Sequence, residues 1–245
     1  VGLNAGRWDY LFSYQKVYRN TQKVILPDRS KVNMFVPFMS NYNKLLVNTC
    51  HKRGAFGMGG MSAQVIAKAN PKEINDRALA GVKKDKEREL VQGNDGAWVA
   101  HPSLVEPVKS IFEKNFKGPN QLNKFNNQKI NRRDLLTEPK IDNAITESGV
   151  RENLNEGIEY LAFWIIGTGC CVVNYLMADA ATCEVSRAQL WIWLKYKVKL
   201  DDGRIVDEKL IDELIKDELS KIKKKFNSWK ERTGDKSLDH VSFEN

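Results

Sequence analysis

The first two-thirds of the chain alternates short apolar runs with stretches of helical spacing. Residues 1–4 read as the end of a strand. Over residues 40–53 the spacing is helical, with Leu45, Leu46 and Val47 inside and Gly54 placed as a stop. Residues 55–61 predict a glycine-rich strand and its exit loop. Asn70-Pro71 predicts a helix start, because proline is tolerated in the first turn, where its missing N–H has no partner to lose. That helix runs from Lys72 to about Gln92 with one charged face. Residues 96–100 predict a third strand, broken by His101-Pro102, and Ser103 is placed to cap a helix reaching about Asn115. Strands alternating with helices of this length imply parallel β-α units.

After residue 117 the alternation stops. Residues 117–146 are polar and rich in Asn and Pro, which predicts a long connection with a short helix near Arg132 to Leu136. Only helices are predicted beyond it. Residues 147–166 put Leu154, Ile158, Leu161 and Ile165 on one side and end at Gly167 and Gly169. Residues 182–198 contain Trp191 and Trp193. A turn at Asp201-Asp202-Gly203 precedes a charged amphipathic helix over residues 206–229, followed by a polar, frayed tail. The expected organisation is a β/α part over residues 1–117, a linker over 118–146 and a helical domain over 147–245. About three strands are found, whereas a closed β/α barrel needs eight and about 250 residues. The α/β part is therefore either a small open sheet or the last β/α units of a TIM-type barrel. Polar and glycine positions follow each strand, at residues 4–9, 58–61 and 101–102. In a barrel that edge is the catalytic rim, although doubly wound sheets also bind ligands there.

Composition narrows the class. The chain is 42% hydrophobic and 29% charged, as in ordinary globular proteins. Its most apolar stretch, residues 160–173, falls short of the run of about 20 needed to span a bilayer, so no membrane partner is expected. Four cysteines (Cys50, Cys170, Cys171, Cys183) without a C-x-x-C pair, together with only three histidines, argue against a zinc site or a disulfide framework and fit a reducing compartment. The net charge of +8 sits largely in lysines of helical segments, at Lys83, Lys84 and Lys86 and over residues 221–225, interleaved with acids. They read as solvated faces, and no nucleic-acid motif accompanies them, so no nucleic-acid partner is expected. The sequence opens Val-Gly-Leu-Asn, without methionine or leader, and reads as though cut inside a structural element.

A series of blocks carries a family resemblance. The opening run Gly2-Leu3-Asn4-Ala5-Gly6-Arg7-Trp8-Asp9-Tyr10-Leu11-Phe12-Ser13 resembles the malate synthase signature. Leu26-Pro27-Asp28-Arg29, Thr49-Cys50-His51-Lys52-Arg53-Gly54-Ala55 and Met58-Gly59-Gly60-Met61 follow in family order. Next come the block from Asp95 to Pro102, then Pro119-Asn120-Gln121, then Asp179-Ala180-Ala181-Thr182 with Ser186-Arg187. Any one block is weak; six or more in order, over residues 1 to about 200, point to the family, with the A-type branch of plants, fungi, nematodes and bacteria the nearest. The resemblance implies the last units of a TIM-type (β/α)8 barrel followed by an all-helical C-terminal domain. It also implies a magnesium-dependent Claisen condensation of acetyl-CoA with glyoxylate, then hydrolysis to malate and CoA in the glyoxylate cycle.

On that resemblance Asp179 is the expected catalytic base and Asp9 the expected Mg²⁺ ligand. Read from the residues alone, Asp179 is an N-cap and Asp9 a loop aspartate capping the next helix. Gly6, Arg7 and Trp8, then Met58, Gly59 and Gly60, then His101 and Pro102 are the expected substrate- or CoA-binding positions. A structural salt bridge for Arg7, a buried satisfied role for His101 and a tight strand exit at residues 58–61 are the plainer readings. A phosphate-rich molecule such as CoA would suit the basic surface. The sequence departs from the family at Ala178, where glutamate is usual, and at Val172, where proline is usual. The family's catalytic arginine and second acidic metal ligand belong upstream of Val1, so the 245-residue chain alone is expected to lack appreciable activity. The alternative expectation is a truncated or divergent non-catalytic relative acting as a binding module; another CoA-ester lyase on a related barrel fits the Asp179 block less well. An oligomer is compatible with open sheet edges. The expected location is the peroxisome or glyoxysome or the cytoplasm, and the mitochondrion if the chain is part of a bifunctional protein.

Overall fold

A computed structural model describes residues 1–136 and 144–233. Its elements run β1 (Gly2–Asn4), α1 (Arg7–Tyr18), α2 (Pro37–His51), β2 (Phe56–Ser62), α3 (Lys72–Gln92), β3 (Gly96–Val99), α4 (Val105–Asn115), α5 (Arg132–Leu136), α6 (Glu147–Ile165), β4 (Cys171–Val173), β5 (Leu176–Ala178), α7 (Ala180–Lys195) and α8 (Glu208–Thr233). Residues 137–143 of the expected linker, and the expected polar tail beyond residue 233, lie outside the described residues. Contacts group the chain into two compact units that alternate along it. One holds Val1–Arg7, Asn33–Lys140 and Asn174–Met177; the other holds Trp8–Val32, Ile141–Val173 and Ala178–Asn245.

In the first unit β1, β2 and β3 form a parallel sheet in chain order. The strands pack closely on their helices because glycine occupies the contact points. A Cβ at Gly57 would lie 3.1 Å from the Val47 Cα of α2. Between Met58 and Met61 the pairing of β2 with β3 slips by one residue, the mark of a bulge. The bulge faces a buried ionic cluster on α3. The Lys86 ammonium donates to both Glu89 oxygens at 3.0 Å and to Gly60 O at 2.7 Å, and Gly60 N donates to Glu89 Oε1 at 2.8 Å. A Cβ at Gly59 would overlap the Glu89 carboxylate, so only glycine fits there. Residues 58–61, expected in part as an exit loop, are therefore inside the strand.

Three of the sequence blocks meet beside this sheet. His51, at the end of α2, donates from Nδ1 to Lys124 O at 2.6 Å and has Nε2 2.9 Å from Asp95 Oδ2. Asp95 also accepts from Gly57 N at 2.9 Å and Gln121 N at 2.7 Å. This buried set ties the start of β3 to α2 and to the connection after α4. An apolar cluster of Val82, Leu104, Val108 and Phe112 joins α3 to α4. The turn after β3 differs from expectation: the His101 Nδ1, not Ser103, supplies the cap, accepting from Ser103 N at 3.2 Å.

In the second unit α6 and α7 pack around Val150, Leu154 and Trp193, together with Leu200, Val206, Leu210 and Leu214. The Leu26–Arg29 block is pinned to both helices. Trp193 Nε1 donates to Leu26 O at 3.0 Å and Gln189 Nε2 to Pro27 O at 2.6 Å. Asp28 accepts from Thr146 N at 3.0 Å and Thr146 Oγ1 at 2.8 Å, at the start of α6. Arg29 reaches Glu156 at 2.9 Å and Ser186 Oγ at 3.1 Å. The stripe expected on α6 is only half right: Leu154 is buried, but Leu161 and Ile165 are 47% and 67% exposed. The inward face instead includes Glu156 and Glu159, and Glu159 receives Lys225 of α8 on both oxygens at 2.9 and 2.6 Å.

After residue 148 the chain is chiefly helical, with one addition. β4 and β5 form a two-stranded sheet joined by Asn174 and Tyr175, both at positive φ (49° and 66°). Two consecutive left-handed residues are the signature of a type I′ turn, whose twist matches the flanking strands. Helix α1 was expected only as an unbounded helix after Asp9; it starts earlier, at Arg7, and contains Asp9. Its buried residues are Leu11, Tyr14 and Gln15, and aromatic residues on several sides blur its period.

Two expectations follow for stability. Gly59→Ala should lower the urea unfolding free energy by about 1–3 kcal/mol through overpacking, whereas Gly81→Ala, in open space on α3, should raise it by roughly 0.5–1 kcal/mol. Burial pushes the Glu89 carboxyl from 4.5 up to about 7, against the pull of Lys86 and Arg88. The folded state thus holds this proton more tightly than the unfolded chain. Its contribution is fully present below pH 4.5 and is lost as pH rises through 7. Unfolding free energies measured over that window should decline, and Glu89→Gln should flatten the slope.

Candidate active site

Asp179 leaves β5 and opens α7 as its N-cap. Its Oδ1 accepts from Thr182 N and Thr182 Oγ1, both at 3.1 Å, and Thr182 Oγ1 accepts from Asp179 N at 3.4 Å. This reciprocal box satisfies two backbone N–H groups and fixes the carboxylate. The box uses one oxygen; Oδ2 takes no part in it. The preceding Ala178 is fully buried in an apolar cluster with Tyr160, Cys171, Val173 and Cys183. Burial raises both buried thiols, Cys171 to about 12, so they serve as packing groups rather than nucleophiles.

Asp9 lies in the first turn of α1 rather than in a loop, and it is exposed. A carboxylate suits a helix N-terminus, where the backbone N–H groups are unpaired. Among the described residues no group of three or more His, Cys, Asp or Glu side chains is placed to hold a metal ion.

Next to Asp9, Trp8 has the Arg29 guanidinium over its ring, 5.6 Å from the centroid. In the sequence Arg29 is distinguished only by its place in the Leu26–Arg29 block, yet it connects the signature helix to α6 and α7. Ser186 Oγ accepts from Arg29 and donates to Thr182 O at 3.0 Å, within the first turn capped by Asp179. Burial raises Glu156, opposed by the Arg29 charge beside it. Nothing in the helical pattern marked Glu156, because a buried acid on an amphipathic helix is visible only once its cation is placed.

Of the remaining expected positions, Met58, Gly59 and Gly60 lie in β2, and the others follow β1 or β3 in the chain. Ala5 N donates to Met58 O at 3.0 Å, Gly6 N donates to Asn4 O at 3.1 Å, and Asn4 Nδ2 donates to Gly59 O. Gly6 is thus held next to the Met58-Gly59-Gly60 run, and a Cβ on Gly60 would crowd Ala5 O at 3.1 Å. The side of Gly59 is filled by Glu89, which gives those glycines a packing reason independent of any ligand. Arg7 is the first residue of α1. His101 and Pro102 form the turn beyond β3, with the His101 Nδ1 engaged by Ser103.

The cap and any chemical role of Asp179 are separable. Asp179→Ala should cost about 1 kcal/mol of unfolding free energy through loss of the cap, while Asp179→Asn should cost a few tenths, since asparagine also caps. Urea titration of the two variants checks the difference.

Comparison with known proteins places these features. The family profile described as malate synthase, TIM barrel domain, matches residues 1–138, and that described as malate synthase, C-terminal, matches residues 144–238. A glyoxysomal malate synthase of Candida tropicalis is 50% identical over 210 residues, covering 84% of this chain and 38% of that protein. A malate synthase of Myxococcus xanthus is 46% identical over 207 residues, with the same two coverages. The bifunctional glyoxylate cycle protein of Caenorhabditis elegans is 47% identical over 208 residues, 84% of this chain and 21% of that protein. The chain thus spans about two fifths or less of these relatives' length. The parallel β/α units and the mainly helical region after them are accordingly the end of a TIM barrel and a C-terminal domain, and the chain belongs to the malate synthase family.

Proposed function

We propose that this chain supplies the general base, Asp179, and one metal-directed carboxylate, Asp9, to a malate synthase centre that condenses acetyl-CoA with glyoxylate and hydrolyses the product to malate and CoA. The observation that supports the reading most is the Asp179 geometry. A carboxylate locked by one oxygen into a capping box has its second oxygen left for a substrate proton. Asp179 would take a proton from the acetyl methyl group, the resulting carbanion would form a C–C bond to the aldehyde carbon of glyoxylate, and the aldehyde oxygen would end as the malate hydroxyl after protonation. Water then cleaves the thioester. Burden on the base is heavy, because a thioester α-proton is weakly acidic and a base must meet it at hydrogen-bond distance.

Magnesium, where bound, polarises an aldehyde and neutralises developing negative charge. Mg²⁺ demands near-octahedral oxygen coordination, and Asp9 offers one carboxylate, so no step is assigned through the ion. Met58, Gly59 and Gly60, and Gly6, Arg7, Trp8, His101 and Pro102, are proposed as positions that contribute to binding substrate or CoA. The names of the relatives favour a glyoxysomal or peroxisomal location; a cytoplasmic one, or a mitochondrial one within a bifunctional protein, is the alternative.

A second reading, a divergent non-catalytic relative, is favoured by one observation: Ala178, fully buried among apolar groups, stands where a glutamate is usual in the family. Splicing residues 1–210 in place of the matching region of the Candida tropicalis enzyme separates the two. Turnover of acetyl-CoA and glyoxylate by the chimera supports the first reading, with a loss of at least ~10³-fold in kcat expected for Asp179→Asn and a raised Mg²⁺ requirement for Asp9→Asn. A folded but inert chimera supports the second. An Asp179→Asn chimera as fast as its parent removes Asp179 as the base. The 245-residue chain alone is expected to release no CoA above background.

A further inference from the structure

We infer that Arg29 is a positioning residue for the Asp179 carboxylate, linking the helix that carries Asp9 to the turn that holds Asp179. This rests on the reading of Asp179 and Asp9 given above. The guanidinium reaches three helices of the unit. Its face covers Trp8 of α1 with 5.6 Å to the ring centroid, one amino group donates to Glu156 of α6 at 2.9 Å, and the other donates to Ser186 of α7 at 3.1 Å. Only 12% of the Arg29 side chain and 4% of that of Glu156 are exposed.

The direction of the hydrogen bonds matters. An arginine has donors only, so Ser186 Oγ must accept from it. The single Ser186 hydroxyl proton is then directed to Thr182 O at 3.0 Å. Thr182 in turn gives both its N–H and its Oγ1–H to Asp179 Oδ1. Each donor is therefore committed, and the rotation of the first turn of α7 is set from Arg29. Hydrogen bonds in such a chain reinforce one another. A lysine could keep the charge over Trp8 but not the planar fork that serves Glu156 and Ser186 together. An arginine needed only for stability would be satisfied by Glu156; the bond to Ser186 is what reaches Asp179.

Amide hydrogen exchange of the 245-residue chain, read by NMR, tests this without turnover. The Thr182 amide reports the Asp179 cap. The Gly149 amide, which donates to Thr146 Oγ1 at 3.0 Å, reports a cap in the same unit that does not involve Arg29. Arg29→Lys and Ser186→Ala should each speed Thr182 exchange at least tenfold and move the Asp179 carboxyl ¹³C resonance, while Gly149 exchange stays within twofold. Unchanged Thr182 exchange, or an equal rise at Thr182 and Gly149, overturns the positioning role. Ser186→Ala removes one hydroxyl and decides the matter if Arg29→Lys fails to fold. The base assignment fails separately, on Asp179→Asn retaining turnover in the chimera, whatever the exchange rates.

Discussion

Four consecutive residues, Leu26 to Arg29, hold the second unit together. They run into a single 3-10 turn at Arg29–Lys31, and each is tied to α6 or α7: Leu26 and Pro27 through their carbonyls, Asp28 and Arg29 through their side chains. The donors from α7, Trp193 and Gln189, are themselves buried. Leaving any of these groups unpaired inside the unit would cost about 1–3 kcal/mol, more for the charges. The segment therefore dictates where α6 and α7 lie along each other. Gly149 follows from the same constraint, since a Cβ there would overlap the Asp28 carboxylate.

Much of the fold was legible from the pattern alone. The strands at residues 2–4, 56–62 and 96–99 and the helix Lys72–Gln92 fall where periodicity and punctuation put them, because each is long enough or sharply enough bounded for its period to register. What escaped had a physical reason. The three-residue strands β4 and β5 are too short for alternation to show, and the Asn174-Tyr175 turn between them holds neither glycine nor proline to mark it. α1 carries aromatics on several sides. α6 directs two acids inward because Arg29 and Lys225 meet them, and the cations come from segments far away in the chain.

The site was legible in kind more than in arrangement. Asp179 stood out through its block, and its capping role was already implied by Thr182 three residues on. That the cap takes only one of its oxygens became visible only with coordinates. The glycines of residues 59–60 show the opposite lesson. Their run suggested a surface for a ligand, but the nearest groups to one of them are Glu89 and Lys86 of α3. A glycine-rich strand can thus owe its glycines to packing alone, and sequence by itself does not separate that from a ligand surface.

The ties to Leu26 and Pro27 also carry a cost in time. Trp193 is 167 residues beyond Leu26, and Gln189 is 162 beyond Pro27. At a synthesis rate of about 5–20 residues per second, the segment waits roughly 8–30 seconds on the ribosome before its last partners exist. The surrounding helices Glu147–Ile165 and Ala180–Lys195 emerge only late in that interval. The early residues of this unit cannot fold as they are made, and contacts of such long separation close slowly. A nascent chain keeps Asp28 and Arg29 solvated until α7 arrives.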